Sequence, residues 1–203
     1  MTNLEISMNP KHTHQKQRLA VVFGSNREER LCDSVGQWAL AQVAAHGGYE
    51  VDLIDPATTS LPPRLGNDDN PALREFQRRI DRADAYLIVT PEYNHGYPAA
   101  LKLLIDSAKD EWKRKPAAFV SYGGQSGGLR AVEQLRLVFA ELHVVTMRDS
   151  VSFVNAWESF GDGVELRDPQ QAAGAMSYML DHLQWWSETL SAARIRREEP
   201  AMA

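Results

Sequence analysis

Apolar positions along this chain change their period from segment to segment. Leu19-Ala20-Val21-Val22-Phe23 is an unbroken apolar run that stops at Gly24-Ser25, the pattern of a strand buried on both faces. Val35, Trp38, Ala39, Gln42 and Val43 then recur at steps of three and four and predict a helix that ends at Gly47-Gly48. Tyr49 to Ile54 reads as a second strand, closed by Asp55-Pro56, and the polar, proline-rich stretch Ala57 to Pro71 as a loop. Leu73, Phe76 and Ile80 mark a helix, and Ala85 to Val89 a third buried strand. After Pro91 to Pro98 another helix carries Leu101, Leu104, Ile105 and Ala108. The fourth strand, Ala117 to Val120, runs through a glycine-rich turn into a helix from about Gly128 to Leu142. His143-Val144-Val145-Thr146 begins a fifth strand, and a last helix spans roughly Pro169 to Arg194, with Met176, Met179, Leu180, Leu183 and Trp186 on one face.

Strands alternating with helices imply right-handed crossovers and a parallel sheet covered on both faces. The expectation is an α/β three-layer sandwich with a five-stranded parallel sheet in the order 2-1-3-4-5, rather than a six-stranded dinucleotide fold. Residues 18–194 form one domain in this reading, with 1–17 a disordered arm and 195–203 a frayed tail. Composition narrows the function classes. In 203 residues, 27 acidic against 22 basic side chains leave a net charge of −5, which argues against a nucleic-acid binder with its basic stripe. The single cysteine, Cys32, excludes an internal disulfide framework and suits a reducing compartment. No apolar run approaches the ~18 residues of a membrane helix, so a cytoplasmic protein without membrane contact is expected. His12 and His14 read as solvated arm residues rather than metal ligands, and no metal site is assigned.

In an open parallel sheet, ligands bind beyond the carboxyl ends of the strands, where the strand order reverses. Three such ends lead into unusual segments. Gly24-Ser25-Asn26-Arg27-Glu28-Glu29-Arg30 offers backbone N–H groups, a hydroxyl and two guanidinium groups at a helix start, the ingredients of a phosphate grip. An ordinary polar loop with solvated arginines would have the same composition. Glu28 and Glu29 must face solvent or pair with Arg30 if the loop is to receive a dianion. Asp33 or Ser34 is placed to cap the helix, and Cys32 is either a thiol activated by that helix start or a small packing residue. Cys32 does not stand in a Cys-x5-Arg phosphatase turn. Thr90 to Pro98 is a rigid loop whose backbone amides, Asn94, Tyr93 and Tyr97 suit a planar heterocycle. Ser121 to Gly128 carries four glycines and lets a ligand come close to the backbone. One phosphate grip and two planar-ring cradles describe a site for flavin mononucleotide, FMN.

With these segments the chain resembles the NADPH-dependent FMN reductases of flavodoxin-like fold, a family that includes quinone, azo-dye and chromate reductases. Gly24-Ser25-Asn26-Arg27 through Arg30 is similar to the family's GSxRxxR loop. Pro91-Glu92-Tyr93-Asn94, continuing through Tyr97-Pro98 to Leu101-Lys102, is similar to its PEYN segment, and Tyr122-Gly123-Gly124 through Gly127-Gly128 to its third loop. The resemblance implies that Ser25, Arg27 and Arg30 hold the FMN phosphate. It implies that Pro91, Glu92, Tyr93 and Asn94 line the flavin and ribityl region, and that Tyr122, Gly123, Gly124 and Gly127 approach the other side of the ring.

The implied activity is hydride transfer from NADPH, or NADH, through FMN to a quinone, azo compound, metal oxyanion or free flavin, with no catalytic side chain required. An FMN-binding electron carrier without nicotinamide turnover is the alternative. The family further implies a homodimer or homotetramer, with Leu101, Leu104 and Ile105 on a helix at the contact. Trp185 and Trp186 serve either that interface or the core.

Overall fold

In the computed structural model, the described residues are 16–62, 70–160, 166 and 168–196. Residues 1–15, 63–69, 161–165, 167 and 197–203 lie outside them, and with these go His12, His14, most of the expected arm and most of the expected tail. Five strands, β1 (Gln17–Phe23), β2 (Tyr49–Ile54), β3 (Ala85–Pro91), β4 (Pro116–Gly123) and β5 (Val145–Val154), form one parallel sheet ordered β2-β1-β3-β4-β5. The flavodoxin-like order expected from the alternating pattern is the one observed.

Side-chain alternation along the strands divides the core in two. Leu19, Val21, Phe23, Leu87, Val89, Ala118 and Val120 face α1 (Cys32–His46) and α6 (Pro169–Arg196). Ala20, Val22, Tyr86, Ile88, Ala117 and Phe119 face α2 (Pro71–Arg82), α3 (Ala99–Asp106) and α4 (Leu129–Glu141). Because both faces are covered, β1, β3 and β4 read as continuous apolar runs rather than as alternating ones.

The termini of these elements follow local chemistry. Gly47 ends α1 in the left-handed region (φ 78°) and returns its N–H to the Val43 carbonyl. Asn70 caps α2 by accepting from the Ala72 and Leu73 N–H groups, with Pro71, assigned to the loop from sequence, opening the helix. Neither Asp33 nor Ser34 caps α1. The N-cap is Leu31, without a side-chain hydrogen bond, and Asp33 lies in the first turn, where Arg30 takes its carboxylate. β1 opens at Gln17, inside the expected arm, and the Gln17 side chain accepts from the Ser187 hydroxyl of α6.

Three residues expected at a subunit contact lie elsewhere. Leu101, Leu104 and Ile105 are buried in the chain's own core and cannot form a subunit contact. Of the tryptophan pair, Trp186 packs on the core beside α6 while Trp185 is exposed.

α1 can lie close to the end of β1 because position 36 has no side chain. A Cβ there would come within 2.1 Å of the Phe23 ring, which is itself buried. That contact sets the height of the loop joining β1 to α1. Gly36→Ala is therefore expected to destabilise the fold by about 1–3 kcal/mol through overpacking, despite the better helix propensity of alanine, and a urea titration reads the loss as a lower unfolding midpoint.

Candidate functional site

The ends of β1, β3 and β4 meet at one rim, and a cleft of about 360 Å³ opens there. That volume falls in the range of roughly 300–1,000 Å³ typical of ligand sites. Its lining combines Arg27, Glu28, Glu29, Arg30 and Leu31 from the first loop with Pro91, Glu92 and Tyr93 from the second. Tyr122, Gly123 and Gly124 come from the third, and Ala156 and Trp157 from the segment after β5. Of the eleven residues expected from sequence, the structure brings Arg27, Arg30, Pro91, Glu92, Tyr93, Tyr122, Gly123 and Gly124 to this cleft. Ser25, Asn94 and Gly127 stand behind or beside it.

The two arginines of the first loop have different surroundings. Arg30 is nearly buried, with 6% of its side chain exposed, and makes a two-pronged pair with Asp55 at 2.7 and 2.5 Å. It also donates to Asp33 and to the Ser25 carbonyl. Asp55 follows β2, so this fork fastens the first loop to the neighbouring strand end. The hydrogen bonds that Arg30 donates to Asp55 raise the Arg30 pKa further against the cost of burial. Burial of Asp55 favours its neutral form, but hydrogen bonds from Arg30 and the Ala57 N–H outweigh it and hold the carboxyl below the ordinary range.

Arg27, by contrast, is exposed, its guanidinium lying 3.6 Å from the centre of the Tyr93 ring. No carboxylate pairs with it among the described residues. The Tyr93 and buried Ser25 hydroxyls share a hydrogen bond of 2.7 Å, and the Ser25 oxygen accepts from the Arg27 N–H. Loops one and two are thus joined through Ser25, Tyr93 and Arg27. Glu28 and Glu29 are exposed, and the carboxylates that Arg30 pairs with are those of Asp33 and Asp55.

The second loop is a tight hairpin. Tyr93 and Gly96 exchange both backbone hydrogen bonds, and Asn94 and His95 between them have φ of 51° and 74°. Positive φ at both central positions is the two-residue turn that asparagine favours. Asn94 is therefore exposed at a turn tip, and Gln134 of α4 holds the His95 carbonyl from outside. The Glu92 side chain spans to the third loop. It accepts from the Ser126 hydroxyl at 2.6 Å, from the Arg130 N–H at 3.1 Å and from the Arg130 guanidinium at 3.0 Å. α4 has no side-chain cap of its own, since Gly128 occupies that position, and Glu92 supplies the missing acceptor from across the cleft. Burial pushes the Glu92 carboxyl up, but these three donors bring it below its usual value.

The third loop is closed from beneath. The Gly127 carbonyl accepts from the Ser121 and Ser152 hydroxyls, which places Gly127 in the base of the loop. Gly128 has φ 87°, and a Cβ there would press to 2.8 Å on the Tyr122 nitrogen, so no other residue fits. Tyr122 turns its phenol into the core, and burial raises its pKa. Cys32 lies against it, its thiol also raised by burial, so Cys32 is a packing residue and not an activated nucleophile. The Asn155 and Ala156 N–H groups bond the Gly124 and Gly123 carbonyls and bring a fourth segment to the rim. That segment, with Trp157, was missed from sequence. The apolar start of the fifth strand is visible in the sequence but its end at Val154 is not, and Trp157 follows that end.

The donor set fits FMN. An unpaired guanidinium stacked on a tyrosine suits the phosphate. Beyond it the rim turns to backbone and glycine, which suits a flat ring system. Among the described residues no group of three or more His, Cys, Asp or Glu could hold a metal ion.

The chain is also similar to known proteins. A family model described as NADPH-dependent FMN reductase matches residues 17–158. An NAD(P)H-dependent FMN reductase of Schizosaccharomyces pombe is 38% identical over 120 residues, which cover 55% of this chain and 60% of the relative. A 2-hydroxy-1,4-benzoquinone reductase of a Burkholderia species is 33% identical over 149 residues, covering 70% and 80% of the two chains. Among solved structures, a flavoenzyme NAD(P)H:(acceptor) oxidoreductase from Paracoccus denitrificans superposes with a TM-score of 0.67 at 24% identity, over 85% of this chain and 98% of that one.

Removing the charge from Asp55 tests the buttress. Asp55→Asn should cost about 2–4 kcal/mol by leaving a nearly buried guanidinium half-paired. Since the Asp55 pKa is depressed on folding, its contribution is complete above the ordinary aspartate value of about 3.9 and is lost as pH falls through the lower folded value. The variant's stability should accordingly fall less steeply than the native chain's below about pH 4, as followed by circular dichroism in acid titration.

Proposed function

The chain belongs to the NADPH-dependent FMN reductase family, and from that membership we propose that its strand-end loops hold FMN for the oxidation of NAD(P)H by a small electron acceptor. Quinones, azo compounds, metal oxyanions and free flavin are the acceptor classes in view, and quinones are favoured because a benzoquinone reductase is among its relatives. FMN, when bound, would supply the two-electron chemistry that links the nicotinamide to the acceptor. The observation that carries this reading is the division of the first loop into one arginine committed to Asp55 and one left free at the cleft.

Each protein group then has an assigned task. Arg27 binds the phosphate, with Tyr93 beneath it and the Ser25 hydroxyl beside it. Arg30 holds the Ser25 carbonyl and keeps the loop in shape. Glu28 and Glu29 are exposed and also line the cleft beside Arg27, so Arg27 binds the phosphate against the field of two neighbouring carboxylates. Pro91, Glu92 and Asn94 frame the ribityl and ring region, and Tyr122, Gly123, Gly124 and Gly127 support the ring from the third loop. Backbone N–H groups aimed at the ring edge would stabilise negative charge developing there.

No helix among the described residues is long and apolar enough to cross a membrane, and a cytoplasmic location goes with the lone, reduced Cys32. A homodimer or homotetramer is also part of the proposal. The exposed Leu137 on α4 and Trp185 on α6 support it in place of the buried α3 residues.

The deciding experiment is NADPH consumption by the purified protein with added FMN and a quinone. Steady oxidation of NADPH is the expected result. Flavin that dithionite reduces but NADPH does not would turn the reading to an electron carrier. Arg27→Ala is expected to weaken FMN binding by ~1.5–3 kcal/mol, a loss of roughly ten- to a hundredfold in affinity, read by quenching of flavin fluorescence. Unchanged affinity would remove Arg27 from the phosphate site.

A further inference from the structure

Trp157 is 58% exposed at the rim of the cleft, while every other aromatic ring around it is packed. Phe153, Phe160 and Trp38 form an edge-to-face cluster at centroid separations of 4.8, 4.9 and 6.5 Å. The short helix α5 (Trp157–Phe160) thus turns Phe160 inward and leaves Trp157 at the mouth. Its backbone is not loose. Ala156, directly before it, is fully buried, and the Asn155 and Ala156 N–H groups are bonded to the Gly124 and Gly123 carbonyls at 3.1 Å. A large, poorly hydrated indole is therefore held beside a ligand cleft with no aromatic partner among the described residues.

Its place in the sheet says which part of a ligand it meets. The free guanidinium Arg27 lies at the end of β1, and Trp157 follows β5, three strands away in the order β1-β3-β4-β5. At a spacing of about 4.8 Å per strand the two stand roughly 14 Å apart across the rim. With a phosphate held at Arg27, the rim above β3 and β4, between Arg27 and Trp157, would be the space left for the rest of an FMN molecule. The indole edge is 3.5 Å from where a Cβ on Gly124 would be, so it walls the outer side of the glycine loop rather than its floor.

The geometry points to Trp157 as the specificity residue for the acceptor, stacking on planar aromatic oxidants, quinones above all, as they settle against the ring end of the cleft. The inference rests on the FMN reading and narrows it. Aromatic contact of this kind adds affinity for flat conjugated rings and none for a small inorganic oxidant.

The test compares Trp157→Ala and Trp157→Phe with the native protein, using 1,4-naphthoquinone and ferricyanide as oxidants. In Trp157→Ala the naphthoquinone KM should rise about 3- to 10-fold while the ferricyanide KM stays level, and Trp157→Phe should recover most of the difference. Independently of turnover, naphthoquinone added to the oxidised, FMN-loaded native protein should quench tryptophan fluorescence, and Trp157→Phe should lose the saturable part of that quenching. Equal KM values for naphthoquinone in all three proteins would overturn the assignment, and so would a Trp157→Ala protein that sheds FMN in place of losing acceptor affinity. Failure of the native chain to bind FMN at all would instead overturn the cofactor reading beneath it.

Discussion

The reversal of strand order at β1 governs everything else in this molecule. From β1 the chain crosses to β2 on one side and, after β2, to β3 on the other. The loops that leave the carboxyl ends of β1 and β3 therefore diverge, and a crevice opens between them that no helix can fill. An open crevice is a liability unless its walls are stiff, because loops lack the hydrogen-bonded ladders that hold strands. Here the stiffness is polar. The Arg30–Asp55 fork secures the first loop to β2, the Ser25–Tyr93 hydroxyl pair secures it to the second, and Glu92 secures the second to the third through Ser126 and Arg130. The Gly123 and Gly124 carbonyls secure the third to the turn after β5. Each tie joins a different pair of walls, so the rim behaves as one frame.

Those ties also settle how charge is distributed. Both Arg30 and Glu92 are nearly buried, and a buried charge is tolerable only when its hydrogen-bonding capacity is met. Arg30 finds Asp55, Asp33 and the Ser25 carbonyl; Glu92 finds two donors on Arg130 and one on Ser126. With their partners inside the protein, neither contributes much field to the cleft. Arg27 does, because its neighbours are a tyrosine ring and solvent. Among the described residues lining the cleft, Arg27 is the guanidinium without a carboxylate partner, with exposed Glu28 and Glu29 next to it in the loop, and chiefly backbone lies where an uncharged ring would.

Much of this was legible in the sequence, and what was not has physical reasons. β1, β3 and β4 announce themselves because a strand covered on both faces must be apolar throughout, and the strand order follows from their alternation with helices. The three rim segments were visible for the same reason, being abrupt runs of glycine, proline and charge after buried strands. The extent of β5 was hidden: it is the sheet edge, it carries Arg148 and Asp149 in its middle, and its register with β4 shifts between Ala117 and Phe119. Trp157 was lost with it. Nor could spacing separate Arg27 from Arg30. They stand three residues apart in one loop, and what distinguishes them is Asp55, 25 residues on from Arg30 in the chain and near it only because Val22 pairs with Ile54. The burial of Leu101, Leu104 and Ile105 is likewise a property of the sheet face above them, not of their own helical spacing.

A site built this way makes its motifs unequal in what they demand. In the second loop the residue types are needed for the turn and the ties. Asn94 is there for a positive φ, Glu92 for a helix end that Gly128 leaves uncapped, and Tyr93 for a hydroxyl partner and a surface under Arg27. None of these roles depends on which oxidant arrives. Position 157 is different, since nothing in the frame requires an indole there: the turn is fixed by the N–H groups of Asn155 and Ala156, and the packing by Ala156 and Phe160. A side chain that the fold does not require, held in place by a backbone that the fold does fix, is free to follow the chemistry of the molecule it meets. That asymmetry is the ground on which we propose cofactor binding at the first three loops and acceptor choice at the fourth.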